Sequence, residues 1–144
     1  MFVSSRIGLD LDGERELVAS TIDDLSSDFA RAWLWERDGL GGQSVRETCL
    51  HFARGSDMLI LLVGQDVSPI VEAEFDTAFD AGVTCIVLRK PAFATLRCRR
   101  FLTRLARRGV MPLNFQNHSE LRTHLIKRIN GHLLTAFRSR RRDR

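Results

Sequence analysis

Met58–Val63 (Met-Leu-Ile-Leu-Leu-Val) is a continuous apolar run of strand length. A run without polar alternation is the pattern of a central strand covered on both faces of a parallel sheet. Val83–Leu88 predicts another buried strand, and Phe2-Val3 a short one that stops at Ser4-Ser5. Ala30–Trp35 sets Ala32 and Leu34 against Trp33 and Trp35, a period of two that predicts a second strand in chain order. Val110–Phe115 predicts a last short strand, which Pro112 marks as an edge.

Helical spacing fills the intervals. Leu17, Val18, Ile22 and Leu25 recur after Asp12, which can cap the helix. Gly39, Gly41 and Gly42 predict a loop. Ser44 then caps a helix lined by Val45, Cys49, Phe52 and Ala53, with Glu47 completing a capping box and Gly55 at its end. Pro69 suits the start of a helix whose stripe is Val71, Phe75, Ala78 and Phe79, and Gly82 suits its end. Phe101, Leu102 and Leu105 predict a helix with an arginine-rich outer side. Leu121, Leu125, Ile129, Leu133 and Phe137 predict a terminal amphipathic helix covering the sheet. Strands alternating with helices imply parallel βαβ units with right-handed crossovers: an α/β three-layer sandwich around an open parallel sheet of about five strands. One domain is expected over 1–137, followed by a basic, disordered tail over 138–144.

Composition fits this picture. The 144 residues are 44% hydrophobic and 28% charged, ordinary for a globular domain. No apolar run approaches the roughly 18 residues that span a bilayer, and no signal-peptide pattern opens the chain. Cys49, Cys85 and Cys98 lack metal-ligand spacing, so a reducing, cytoplasmic location is expected. The net charge of +4 is uneven: only Lys90 and Lys127 are lysines, and arginines crowd Arg97–Arg108 and Arg138–Arg144. Such blocks can bind nucleic acid or anionic membranes, and more often form a solvated helix face. Nucleic acid is therefore a minor expectation and a membrane is not expected.

In open α/β sheets, ligands bind beyond the carboxyl ends of the strands. That rule selects Ser4, Ser5 and Arg6 after the first strand; Glu36, Arg37 and Asp38 after the second; Gln65, Asp66 and Ser68 after the third; and Arg89 and Lys90 after the fourth. No GxGxxG, GxxxxGK[ST] or GxSxG motif is present, and His51, His118, His124 and His132 have no metal-ligand spacing. Metal hydrolysis, dinucleotide redox chemistry and ATP hydrolysis are disfavoured, and no metal or cofactor is expected. What remains is Glu72 and Glu74, expected in the first turn of the helix after Met58–Val63. They flank its buried stripe on opposite sides, and periodicity does not choose between them. Both could equally serve only the helix dipole.

Phe2-Val3-Ser4-Ser5, Asp10-Leu11 and Glu14-Arg15 resemble the opening F-[IV]-S-S, D-L and E-R of a TIR-like domain family found at the front of bacterial signalling and defence NTPases. Glu36, Cys49, Ser56-Asp57 and Gly64 match its further landmarks in order, and Glu72-Ala73-Glu74-Phe75-Asp76-Thr77-Ala78 is similar to its E-x-E-[YF]-x-x-A. The resemblance covers about Met1–Lys90 and implies a flavodoxin-like or TIR-like fold related to nucleoside 2-deoxyribosyltransferases and nucleotide N-hydrolases.

The resemblance also implies a catalytic role for Glu74, with Ser4, Ser5, Arg6, Glu36, Asp66 and Ser68 in binding. The implied activity is cleavage of an N-glycosidic bond of NAD or a (deoxy)nucleotide, which would be substrate rather than cofactor. A carboxylate beside the ribose would stabilise oxocarbenium charge or attack the anomeric carbon. The loop Gln65–Pro69 is shorter than the family's and lacks its glycine and aromatic residue. That motivates an alternative: a non-catalytic module that senses a nucleotide or binds itself or a partner signalling protein.

Overall fold

The structure is a computed structural model that describes residues 1–6, 10–25, 31–39 and 44–142, the last of them by its backbone. The expectations for Ala30, Gly41, Gly42 and the last two residues of the tail lie outside the described residues. Four strands, β1 (Phe2–Ser4), β2 (Met58–Val63), β3 (Thr84–Arg89) and β4 (Leu113–Asn114), form one parallel sheet in the order β1-β2-β3-β4. The helices between and after them are α1 (Asp12–Leu25), α2 (Trp35–Asp38), α3 (Val45–Gly55), α4 (Pro69–Asp80), α5 (Leu96–Arg107) and α6 (His118–Arg142). This is the predicted α/β architecture.

All six β2 residues are buried, which accounts for their unbroken apolarity. Met58, Ile60 and Leu62 join one core with Val18, Ala19 and Ile22 of α1 and Leu121, Leu125 and Ile129 of α6. Leu59, Leu61 and Val63 join the other with Cys49 of α3, Val71, Phe75 and Ala78 of α4, and Phe101 and Leu105 of α5. Thus α1 and α6 form one outer layer, and α3, α4 and α5 the other.

The predicted second strand is reduced to one parallel bridge, Phe2 to Trp33. Val3 N–H donates to the Trp33 carbonyl (3.0 Å) and Trp33 N–H to the Met1 carbonyl (2.8 Å). The Asp38 carboxylate accepts from Leu34 N–H (3.1 Å), and the chain turns into α2 at Trp35. Pairing therefore stops after one residue. Counting the bridge as second in chain order, the spatial order is second, first, third, fourth, fifth, the flavodoxin-like arrangement, whose switch point lies between β1 and β2.

Other boundaries refine the expectations. Asp12 is the first residue of α1 rather than the one before it. Ser44 caps α3 by accepting from Glu47 N–H (3.4 Å), and Ser68 caps α4 ahead of Pro69. Gly82, at φ 77°, lets α4 close with Gly82 N–H on Phe79 and Val83 N–H on Ala78. The cap of α6 is Asn117, which accepts from Glu120 N–H (2.9 Å), while Glu120 accepts from Gln116 N–H (2.8 Å). In place of a disordered tail from 138, α6 continues to Arg142, and Leu133, Leu134 and Phe137 are exposed on it.

Candidate functional site

Beside the switch point, the carboxyl end of β1 faces α3 and α4 across a cavity of about 290 Å³. Its lining includes Ser4, Ser5 and Arg6 after β1, Cys49 of α3, Ser68 at the cap of α4, and Glu74. Arg15 of α1 and Trp35 of α2 complete its polar and aromatic walls. A larger cleft, about 720 Å³, lies at the opposite end of the sheet against Met1, Asp57, Met58 and Thr84. We place the candidate site in the smaller cavity, because it lies beyond the strands' carboxyl ends and holds a buried carboxylate.

The structure separates the two glutamates that periodicity left equivalent. Pro69 opens α4, so Glu74 stands in its second turn, past the reach of the helix dipole. It is 6% exposed and accepts a hydrogen bond from Ser4 Oγ. Glu72 instead turns to α5, where Arg97 meets it at 3.2 Å.

Burial pushes the Glu74 carboxyl above the ordinary carboxylate range, against the opposing effects of hydrogen bonds from Ser4 and Cys49 and the field of Arg15. The Cys49 thiol is itself pushed up to about 12, first by burial and then by the negative charge of Glu74. At neutral pH it is a thiol that donates to Glu74, not a nucleophile.

Arg15 is, among the described residues, the one buried guanidinium, 4% exposed, and it is well partnered. Its Nε and Nη2 donate to the two Glu36 oxygens at 2.7 and 2.9 Å, and its Nη1 donates to Ser5 Oγ at 2.9 Å. Those bonds lead the effects that hold the Glu36 carboxyl below its usual value, with burial opposing. Such a planar fork is the geometry a bidentate arginine prefers. Sequence reasoning missed Arg15 as a site residue. Its signal is spacing: Arg15, Val18, Ala19 and Ile22 fall at i, i+3, i+4 and i+7, on the buried stripe of α1.

Not every expected residue converges on the cavity. Asp66 bonds Thr95 Oγ1 (2.6 Å) and pairs with Arg6 at 3.4 Å, at the mouth rather than on the wall. Thr95, which also caps α5, is the leading cause of the lowered Asp66 carboxyl. Glu36 meets the site through Arg15. Arg37 and Asp38 brace the bridge segment: Arg37 pairs with Asp23 (2.9 Å) and Asp38 (3.1 Å). Lys90 lies apart, bonded to Glu14 at 2.5 Å. Trp33 stacks between Phe2 and Phe52 in the core, while Trp35 reaches the cavity. Asp10 accepts from Gln65 N–H (3.1 Å), and a Cβ on Gly64 would meet that carboxylate, so a larger residue there would push the Asp10 side chain off this bond.

Among the described residues no group of three or more His, Cys, Asp or Glu is placed to hold a metal ion, all three cysteines are free, and no helix is long and apolar enough to cross a membrane. The arrangement can hold a small polar ligand against one buried carboxyl, with hydroxyls beside it and a cation at the mouth. No protein-family model matches the chain, and no curated protein matches it.

Proposed function

We propose that the protein is a cytoplasmic nucleotide N-glycosidase or glycosyltransferase that cleaves the N-glycosidic bond of NAD or a (deoxy)nucleotide, with Glu74 as the reacting carboxylate. The observation that carries this reading is a single buried carboxyl, oriented by Ser4, at the wall of a cavity beside the switch point. The resemblance of Ser4-Ser5 and Glu72–Ala78 to TIR-like and deoxyribosyltransferase-like domains supports it, and suggests a setting in bacterial signalling or anti-phage defence.

The chemistry follows from the surroundings. Burial favours the neutral acid, so the ionised form is held at high energy until positive charge develops on the ribose beside it. Glu74 gives its proton to water and attacks the anomeric carbon as the carboxylate, and the carbon–nitrogen bond breaks with its electron pair leaving on the base. Water, or an acceptor hydroxyl or base, attacks the same carbon, loses a proton and frees the carboxylate. Ser5 keeps a hydroxyl proton for a ligand oxygen while its oxygen accepts from Arg15, and Arg6 at the mouth offers charge to a phosphate.

Purified protein incubated with NAD and with nucleoside monophosphates should release nicotinamide or free base, resolved by chromatography. Glu74→Gln should lower the rate by about 10³-fold or more, the scale of losing a nucleophile. A wild type no faster than Glu74→Gln ends this reading. A second reading rests on how completely Ser4 and Cys49 satisfy Glu74, together with the short Gln65–Pro69 loop. It is a non-catalytic module that binds a nucleotide or a partner protein, and calorimetric nucleotide binding without base release would favour it.

A further inference from the structure

The helix α5 reads Leu-Arg-Cys-Arg-Arg-Phe-Leu-Thr-Arg-Leu-Ala-Arg, with five arginines and no acid. Its apolar side is already used: Cys98, Phe101 and Leu105 are buried against the sheet and α4. Its flank toward α4 is neutralised. Arg97 pairs with Glu72 at 3.2 Å, Arg104 with Asp76 at 3.0 Å, and Arg108, just past the helix, with Asp76 at 3.3 Å and Asp80 at 3.5 Å.

Three arginines remain. Arg99, Arg100 and Arg107 are exposed, and among the described residues none of them has an acidic partner. They share one face with Leu96 and Thr103, along a shallow groove of about 480 Å³. Helical rise separates Arg99 from Arg107 by about 12 Å.

We propose that this outer face of α5 binds the phosphate backbone of a nucleic acid, reading charge rather than sequence. Duplex DNA carries one negative charge per roughly 1.7 Å of axis, so a row about 12 Å long meets several phosphates at once. Arginine suits the task because its fork makes paired hydrogen bonds to phosphate oxygens. A lipid surface fits less well. An interfacial helix buries an apolar face in the bilayer, and on this groove Leu96 is the only large apolar side chain. The arginines at the end of α6 belong to the opposite layer, so the two clusters can be tested separately.

The test is fluorescence anisotropy with the full chain and a labelled single strand and duplex of about 20 nucleotides, from about 50 to 200 mM salt. If Arg99, Arg100 and Arg107 each displace one phosphate counterion, duplex affinity falls roughly 40-fold across that range. The combined Arg99→Gln, Arg100→Gln, Arg107→Gln variant should bind at least about tenfold more weakly at low salt, and its log–log salt slope should be flatter by about 2.7. Circular dichroism should be unchanged, because none of the three side chains holds another element. The combined Arg138→Gln, Arg140→Gln, Arg141→Gln variant should keep the wild-type slope. The proposal is overturned if neither nucleic acid binds at low salt, if the α5 variant keeps the wild-type slope, if only the α6 variant loses binding, or if phosphatidylserine vesicles bind and oligonucleotides do not.

Discussion

The two flanks of α4 treat their carboxylates in opposite ways. Toward the switch point a single glutamate, Glu74, is buried against a hydroxyl and a thiol, with no cation in contact among the described residues, and its carboxyl is raised. Toward α5, Glu72, Asp76 and Asp80 each meet an arginine and stay partly open to water. One flank is an exchange of opposite charges in a high-dielectric setting, where each pair contributes little. The other withholds a counter-charge, which costs stability and leaves a carboxyl ready to respond to a cationic centre. The lesson is that the acid without an ion pair, not the cluster of acids, marks the candidate chemistry.

Arg15 sharpens the contrast, because the neighbouring wall holds a buried charge that is fully paired. The largest expected effect is on that pair. Glu36→Gln strips the guanidinium of its bidentate partner, and because Glu36 is half-exposed the cost should be about 2 kcal/mol, below that of a fully buried pair. Urea unfolding at pH 7 measures it. Glu36 has a lowered carboxyl in the folded state, so its contribution is present above its unfolded value and disappears as pH falls through the folded one. The gap between wild type and variant should therefore close in acid.

Glu74→Gln should act with the opposite sign and a smaller size. A raised carboxyl contributes stability only below its unfolded value and loses it as pH rises through the folded one. The variant should thus be more stable than wild type at pH 7, and the advantage should vanish toward about pH 4. Equal stability at both pH values would remove the distinction between the two flanks. The smallest effect is expected from Asp76→Asn, which weakens the pairs to Arg104 and Arg108: at most about 1 kcal/mol, falling further with added salt.

The fold was legible where burial is two-sided or spacing strict. Met58–Val63, the Val71/Phe75/Ala78 stripe and the Leu121/Leu125/Ile129 stripe all occupy the core positions their periods predicted. Trp33 and Trp35 misled because alternation reports side-chain direction, not pairing: the ladder ends where Asp38 takes Leu34 N–H. Asn117 lies outside the apolar spacing that predicted α6, yet its side chain and Glu120 close the first turn of that helix.

The site was half legible. Strand ends named Ser4, Ser5, Arg6 and Ser68, which do share the cavity. No local pattern could say that Ser4, 70 positions away in sequence, donates to Glu74, since that contact comes from β1 lying beside β2 with α4 packed over their ends. Arg15 was hidden for the converse reason. A charged residue on an apolar stripe is discounted unless a partner is known, and Glu36 comes from another element.

The central claim is that the α4 flank facing β1 holds an unpaired, raised carboxyl. Carbon-13 NMR titration of the glutamate carboxyls, with Glu74→Gln to assign the resonance, tests it without any substrate. Glu74 should titrate above the ordinary value of about 4.5, and higher still in Ser4→Ala, where a hydrogen bond that favours the ionised form is gone. A Glu74 resonance that titrates at or below the ordinary value, and is unmoved by Ser4→Ala, would contradict it.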